Sequence, residues 1–314
     1  MPKVRSGVPA QRDSLIVVPL DGSTTAEGAI RFAVSIAQRA GAHARIEIVH
    51  VHDEGVLAAN APMTDSAWED GRSVEMGAAV GAIAERLTRE AGIKVTAVTL
   101  RGPVVPSLTQ HAADGSADLI VMTTHARSGF SRAWLGSVAE GVIHAATTPV
   151  LVVRASEHAR KEMAEPLFRR ILLPIDREAS GVDAIQRART LGSSAGATFT
   201  LLTVVPPRPM LPPPNPAGGP LVDEGDVARR SSGAKALLDR LAATTRAAGV
   251  TVDIRVVTHD QAAPAILEVA LECGAELVVL PTHPRTAFSR AVFGSVVDEV
   301  LRGAAVPLLL FRAA

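Results

Sequence analysis

The feature that most constrains the fold of this chain is an internal repeat. The segment DLIVMTTHARSGFSRAWLGS at 118–137 aligns without a gap on ELVVLPTHPRTAFSRAVFGS at 276–295, about 158 residues later, and about half of the paired positions are identical. The beginnings of the halves also correspond, because LIVVPLD at 15–21 matches RILLPID at 170–176. A chain of 314 residues that repeats itself once is predicted to form two domains of one architecture.

The repeat sets the expected domain boundaries. We predict a disordered leader at 1–13, a first domain at 14–154, a linker at 155–167 and a second domain at 168–314. The leader is polar and lacks the apolar core of a signal peptide. Each half ends in a short apolar strand that follows a proline, VLVV in the first half and LLLF in the second.

Strand and helix patterns alternate within each half. Short continuous apolar runs are typical of strands buried on both faces of a parallel sheet, and Ala-rich stretches of helical length separate them. This alternation predicts an α/β fold with a doubly wound, five-stranded, Rossmann-like parallel sheet in each of two tandem domains. The expected strands lie at 15–20, 45–51, 94–100, 118–123 and 149–153, and again at 170–175, 199–205, 251–258, 276–281 and 306–311.

The terminal strands of the two halves are too apolar to be left as open edges, which favour aggregation. We therefore expect the strands at 149–153 and 307–311 to pair within the chain. That pairing would give an intramolecular pseudo-dimer about a pseudo-twofold axis, and a homodimer is a further expectation.

Composition argues against several classes of function. The formal net charge is zero and the aromatic fraction is 3%, so neither a basic surface nor a stacking platform for nucleic acid is predicted. No apolar run approaches the ~18 residues of a membrane span. A single cysteine, Cys273, excludes an intramolecular disulfide and suits a reducing compartment, so we expect a cytoplasmic protein.

The expected ligand site lies beyond the carboxyl ends of the strands, where the strand order of an open parallel sheet reverses. In the first half, residues 19–23 and 123–137 should meet there. Gly136 and Ser137 at a helix start offer backbone N–H groups, a hydroxyl and the positive end of the helix dipole, which suit a phosphate. The alternative is that Ser137 begins the helix with no ligand bound.

These segments resemble the universal stress protein family. The resemblance rests on HARSGFSRAWLGSVAE at 125–140, on VVPLDGS at 17–23 and on IVHVHD at 48–53, and it covers both halves of the chain. It implies a tandem member of a family with the doubly wound fold predicted above. Members that bind ATP carry Gly-x-x-Gly, nine further residues and then Gly-Ser or Gly-Thr.

This chain keeps only part of that motif. Two of the three glycines are replaced in each copy, whereas the last glycine and the serine remain. Threonine and alanine keep a backbone N–H group, but proline has none, so we expect residual nucleotide binding in the first domain and little in the second. The motif positions are Thr123, Ala126, Gly136 and Ser137 in the first domain and Pro281, Pro284, Gly294 and Ser295 in the second.

The resemblance also implies roles for single residues. Asp21 would contact the ribose or the adenine side of the nucleotide, and the Val51 backbone would contact adenine. Met122 would form the floor of the adenine pocket. Asp176 corresponds to Asp21, with the capping of its own loop as the alternative, and His125 would make a loop hydrogen bond or a phosphate contact. The expected first site comprises Pro19, Leu20, Asp21, Val51, Met122, Thr123, His125, Ala126, Gly129, Gly136 and Ser137, and the degenerate second site comprises Asp176, Gly294 and Ser295.

Three functions remain open on the sequence. The first is a stress-response regulatory or binding protein with residual ATP or related adenine-nucleotide binding in the first domain, accompanied by Mg²⁺ where ATP is bound. The second is a nucleotide-free scaffold that acts through oligomerisation and partner binding. The third, a slow ATP hydrolase, needs a base and a metal site, and no catalytic residue or metal ligand is assigned; His50 and His52 point the same way on a strand without an evident third ligand.

One segment breaks the symmetry of the halves. Residues 206–220, PPRPMLPPPNPAGGP, contain eight prolines, which forbid a helix or a strand ladder. We interpret this segment as an extended surface loop, with a docking segment for an aromatic groove as the alternative.

Overall fold

The computed structural model describes residues 14–23, 26, 28–41, 43–53, 66–124, 136–154, 168–192, 196–207, 223–282 and 295–313, with the backbone alone at 66–74. The predicted leader and linker lie outside these residues. The chain forms two compact units that divide between Met122 and Thr123.

The first unit contains a parallel sheet in the order β3-β2-β1-β4. The apolar run of the first strand forms its centre, since Leu15, Ile16, Val17 and Val18 are all buried. In chain order its elements are β1 (Ser14–Pro19), α1 (Gly28–Ala40), β2 (Ala44–His52), α2 (Ser66–Ala91), β3 (Lys94–Arg101), α3 (Val104–Asp114) and β4 (Leu119–Thr124), the last two residues of which lie in the second unit.

The second unit contains all five strands of the second repeat as a parallel sheet in the order β10-β9-β6-β7-β8, with β5 paired to β10. The predicted class, a mostly parallel α/β fold in two tandem domains, is confirmed. Its elements are α4 (Ser137–Ala145), β5 (Val150–Arg154), β6 (Arg170–Pro174), α5 (Glu178–Gly192), β7 (Thr198–Val205), α6 (Glu224–Ala247), β8 (Thr251–Thr258), α7 (Ala262–Glu272), β9 (Leu277–Thr282), α8 (Ser295–Gly303) and β10 (Leu308–Arg312).

The two terminal strands pair with each other inside the second unit, as predicted. β5 and β10 are antiparallel, with Leu151 opposite Leu309, and the flanking pairs are Val152–Leu308 and Val150–Leu310. Because the repeat offset is 158, Leu151 and Leu309 are equivalent positions. The register is therefore symmetric about that pair, which marks a local pseudo-twofold axis.

Two arginine contacts obey the same local symmetry. The Arg154 guanidinium donates to the backbone oxygen of Arg302 at 2.9 Å, and Arg312 donates to the backbone oxygen of His144 at 3.3 Å. Both acceptors lie in the last turn of a helix, α8 or α4, where carbonyl groups lack intrahelical partners and favour a cation. Burial lowers the pKa of Arg154, as expected for a guanidinium partly removed from water.

We expect Leu309→Ala to destabilise the protein by about 2–5 kcal/mol, because this side chain is 2% exposed and its loss leaves a cavity at the symmetry centre. Leu151→Ala, at the equivalent fully buried position, should cost a similar amount. The double variant should show a non-additive coupling, since the two residues face each other. Urea unfolding measures all three free energies.

Leu271→Ala is the control for this series, because Leu271 is 76% exposed. It should change stability by no more than about 0.5 kcal/mol. Equal losses at Leu271 and Leu309 would contradict a packed interface between β5 and β10.

Candidate functional site

A cavity of about 410 Å³ lies at the carboxyl ends of the strands of the second repeat. β6 and β9 are parallel neighbours that pair at Ile171–Leu277 and Leu172–Val278, early in each strand. β6 has β7, the next strand of the chain, as its neighbour on one side and β9 as its neighbour on the other. The strand order therefore reverses between β6 and β9. This is where a doubly wound sheet opens a ligand crevice. The lining residues are Pro174, Ile175, Asp176, Leu202, Thr203, Val204, Ala262, Ile266, Leu280, Pro281, Ser295, Val296 and Val297.

The cavity corresponds to the site that the sequence predicted in the first repeat. Register and repeat alignment make the lining residues Asp176, Val204 and Leu280 the counterparts of Asp21, Val51 and Met122. The predicted positions 19, 20, 123 and 137 likewise have counterparts in this lining. The counterparts are Pro174, Ile175, Pro281 and Ser295.

The two repeats build the end of their first strand in the same way. Leu20 donates its backbone N–H to Val49 at 2.9 Å, and Ile175 donates to Leu202 at 2.7 Å. A side chain on the neighbouring strand then meets the carbonyl: His50 Nδ1 lies 3.0 Å from the Leu20 oxygen, and Thr203 Oγ1 donates to the Ile175 oxygen at 2.9 Å. The His50 ring thus has a structural contact that its counterpart reproduces.

The acidic residue after this strand has different surroundings in the two repeats. The Asp21 carboxylate is exposed and accepts the Ser23 backbone N–H at 2.9 Å, around Gly22 at a φ of +83°. The Asp176 carboxylate accepts the Ser180 hydroxyl at 2.6 Å and lies 3.3 Å from Arg177 Nε. Asp176, which is also exposed, therefore contacts the first turn of α5 through Ser180 and pairs with Arg177.

Only part of the predicted phosphate segment is described. Gly136 has extended backbone angles, φ −67° and ψ 150°, and directly precedes α4 with no side-chain cap for the helix N-terminus. Thr123 is buried in β4, and a Cβ at Gly136 would meet no atom of the described residues within 4 Å. Ser295 is the first residue of α8. The predicted site residues His125, Ala126, Gly129 and Gly294 lie outside the described residues, as do His283 and Pro284.

Sequence reasoning missed the contribution of helix α7 to the cavity. Ala262 and Ile266, one turn apart, line it, and so does Val297 in α8. The spacing of four residues between Ala262 and Ile266 places them on one helix face. The local sequence does not indicate, however, that this face lines the cavity.

Neither a metal centre nor a membrane span is found within the part of the chain that the structure describes. No three His, Cys, Asp or Glu side chains there are grouped so as to hold a metal ion. No described helix combines the length and apolarity needed to cross a membrane.

The Pro-rich segment is anchored where it leaves β7. Pro206 and Pro207 are described, and residues 208–222 lie outside the described chain. Arg230 of α6 donates to the Pro206 backbone oxygen at 2.7 Å and to Asp226 at 2.7 Å. Asp223 caps α6 by accepting the Asp226 backbone N–H at 3.0 Å. Arg230 thus ties the start of the Pro-rich segment to the first turns of α6.

Comparisons with known proteins agree on one family. The model of the universal stress protein family matches residues 15–154 and again 167–312. A universal stress protein of Mycolicibacterium smegmatis is 28% identical over 307 residues, 95% of this chain and 96% of that protein. One from Methanocaldococcus jannaschii is 33% identical over 141 residues, 44% of this chain and 81% of that protein. The crystal structure of an Archaeoglobus fulgidus universal stress protein has the same fold, with a TM-score of 0.72 and 19% identity over 96% of this chain and 99% of that one.

Arg230→Ala should destabilise the protein by about 1–3 kcal/mol, because the side chain is 24% exposed and makes charge-assisted hydrogen bonds to both Pro206 and Asp226. Limited proteolysis should cut the Pro-rich segment faster in this variant. The neighbouring Arg229 is 71% exposed, and its ion-pair distances are 3.9 and 3.7 Å, so Arg229→Ala should stay within about 0.5 kcal/mol of the parent. Equal effects of the two substitutions would contradict the anchoring role.

Proposed function

This chain belongs to the universal stress protein family, which has a general role in stress responses, and we propose that it is a regulatory binding protein whose first domain binds an adenine nucleotide. The observation that carries the proposal is the cavity at the strand ends of the second repeat. Its lining residues Asp176, Val204 and Leu280 occupy the positions of Asp21, Val51 and Met122, which are predicted to bind the nucleoside in the first repeat. We infer that the same strand ends form the binding surface of the first domain.

The acidic residues support the first domain rather than the second as the nucleotide site. Asp21 is followed by Gly22, whereas Asp176 is followed by Arg177, which pairs with it. The family resemblance implies that the acidic residue after the first strand contacts the ribose or the adenine side of the nucleotide. In the second domain Asp176 contacts Ser180 and Arg177, and in the first domain Asp21 accepts the backbone N–H of Ser23.

Backbone donors support the same assignment. Thr123 retains the N–H group that Pro281 lacks, so the first domain keeps one donor that the second has lost. The first turn of α4 begins directly after Gly136, no described side chain caps it, and its N–H groups suit an anion. Where ATP is bound, Mg²⁺ would accompany its phosphate oxygens.

The second candidate function is a nucleotide-free scaffold, and the loss of two motif glycines in each copy favours it. The two functions differ in one measurable property, the binding of ATP or ADP by the purified chain. Isothermal titration of both nucleotides separates them. A slow ATP hydrolase would in addition release phosphate from bound ATP.

Asp21→Ala should weaken ATP binding at least about tenfold, because a hydrogen bond to a charged group contributes roughly 1.5–3 kcal/mol. Asp176→Ala is the matched control and should leave the ATP affinity unchanged. Calorimetric titration of both variants gives the two dissociation constants, and circular dichroism confirms that each is folded. ATP binding that survives Asp21→Ala, or that is lost in Asp176→Ala, would contradict the assignment to the first domain.

Restoring the motif glycines tests why the second domain should not take ATP. Pro281→Gly combined with Pro284→Gly returns two backbone N–H groups, and we expect a second, weaker ATP site to appear in the titration. Its stoichiometry should rise from about one to about two nucleotides per chain. If no second site appears, either alone or after shortening of residues 208–222, the prolines are not what prevents nucleotide binding there.

A further inference from the structure

We propose that Met76 is a site of methionine oxidation, at which a peroxide converts the thioether to a sulfoxide and thereby loosens the loop that carries Asp21. The loop comprises residues 20–23, and Met76 lies in α2 of the same unit. This goes beyond the function proposed above, because the effect on the loop does not depend on any bound ligand. Only the further effect on ATP affinity rests on the proposed function.

The Met76 side chain packs against the backbone of Gly22. A Cβ atom placed on Gly22 would lie 2.5 Å from Met76 Cε and 3.0 Å from Met76 Sδ, so the thioether occupies the space that a side chain at position 22 would need. Gly22 also has a φ of +83°, which residues other than glycine rarely adopt. The loop therefore places bare backbone against the methionine.

Hydrogen bonds shape the loop beside this contact. Asp21 accepts the Ser23 backbone N–H at 2.9 Å, across Gly22. Ser23 in turn accepts the Ala26 backbone N–H, at 3.1 Å on its backbone oxygen and at 3.2 Å on its hydroxyl. Gly22 has no side chain of its own to pack, so the Met76 thioether supplies an apolar contact at the middle of the turn.

The second repeat has changed both partners of this contact. Arg177 stands at the position of Gly22, and Gly233 of α6 stands at the position of Met76. A Cβ atom on Gly233 would meet no atom of the described residues within 4 Å. These counterpart positions cannot make a thioether contact, so oxidation at Met76 acts on the first domain.

The alignment of α2 with α6 rests on two pairs of residues, each 157 positions apart. One pair donates a side-chain hydroxyl to the carbonyl four residues earlier, and the other follows the helix with a positive φ, +66° and +83°. The pairs are Thr88 with Thr245 and Gly92 with Gly249.

Met76 is partly exposed, so a small oxidant can reach its sulfur. Hydrogen peroxide transfers one oxygen atom to Sδ: an S–O bond forms, the O–O bond breaks and water leaves, while two electrons pass from the sulfur to the peroxide. The other methionine that the structure describes, Met122, is 5% exposed in β4. We therefore expect Met76 to be oxidised at least about fivefold faster than Met122, since exposure governs this reaction.

Oxidation should end the contact with Gly22. A sulfoxide is polar, and burying its oxygen against backbone without a hydrogen-bond donor would cost free energy. The oxidised side chain is therefore expected to turn its S–O group towards water and to leave the glycine. The loop then keeps its own hydrogen bonds but loses the apolar contact, so it should open more often.

Hydrogen exchange of the full chain measures the loop directly. After treatment with hydrogen peroxide, the peptide that contains Gly22 and Ser23 should exchange at least about threefold faster, and mass spectrometry gives the sulfoxide content of each methionine. Met76→Leu keeps an apolar side chain without sulfur, so the same treatment should leave exchange of this peptide unchanged. The remaining methionines and Cys273 are still present in that variant, which isolates the effect of Met76.

Met76→Gln tests the role of polarity without an oxidant. It should raise exchange of the same peptide by a similar factor, about threefold. Leu87→Gln is the matched control, because Leu87 is also partly exposed and lies on the same helix face, three turns or about 16 Å further along α2. It should leave exchange of the loop unchanged, and thermal unfolding verifies that both variants are folded.

An ATP titration extends the test to the proposed nucleotide site. The oxidised parent should bind ATP at least about fivefold more weakly, because ordering a more mobile loop costs conformational entropy. Oxidised Met76→Leu should keep the affinity of its untreated form. If the untreated parent binds no ATP, the proposed function fails, while the exchange measurements still decide whether Met76 controls the loop.

Three results would overturn the proposal. They are oxidation of Met122 ahead of Met76, equal acceleration of loop exchange in the oxidised parent and in oxidised Met76→Leu, and equal effects of Met76→Gln and Leu87→Gln. An ATP affinity that oxidation leaves unchanged would overturn the link between Met76 and the nucleotide site.

Discussion

The parallel pairing of β6 with β9 is the interaction on which the cavity of the second domain depends. These strands are neighbours in space but lie about 100 residues apart in the chain, and they are joined at two early residue pairs, Ile171–Leu277 and Leu172–Val278. The segments that follow them turn to opposite sides of this boundary, β7 on one side and β10 on the other. The carboxyl ends of the two strands are therefore left facing a space that α7 and α8 border but do not fill.

The two repeats share this framework and differ in the chemistry placed on it. The hydrogen bonds around Leu20 and Ile175 are the same in kind, even though histidine supplies one and threonine the other. The differences are concentrated at the strand ends, where Arg177 and Pro281 replace Gly22 and Thr123. A common backbone thus presents different polar groups at the strand ends of the two domains.

The sequence predicted those parts of the fold that local patterns and the repeat determine. Strands buried on both faces, such as β4 and β9, appear in the sequence as apolar runs. The pairing of β5 with β10 was predicted because apolar terminal strands left as open edges would favour aggregation. The position of the cavity followed from the repeat and from the strand-reversal rule. The contacts of Ala262 and of Arg230 with Pro206 could not be predicted, because each depends on how a helix is placed against a distant strand or loop. The contact of Ser180 with Asp176 is local, but it depends on where α5 begins.

The pairing of β5 with β10 also changes how substitutions act on the protein. In a symmetric assembly of two identical chains, any substitution at the central contact appears on both sides of the axis at once, so the two facing residues always change together. Here Leu151 and Leu309 are separate positions of one chain, and either can change while the other stays. A chain that carries both strands can therefore change one side of this contact in small steps while the facing strand keeps its own residue.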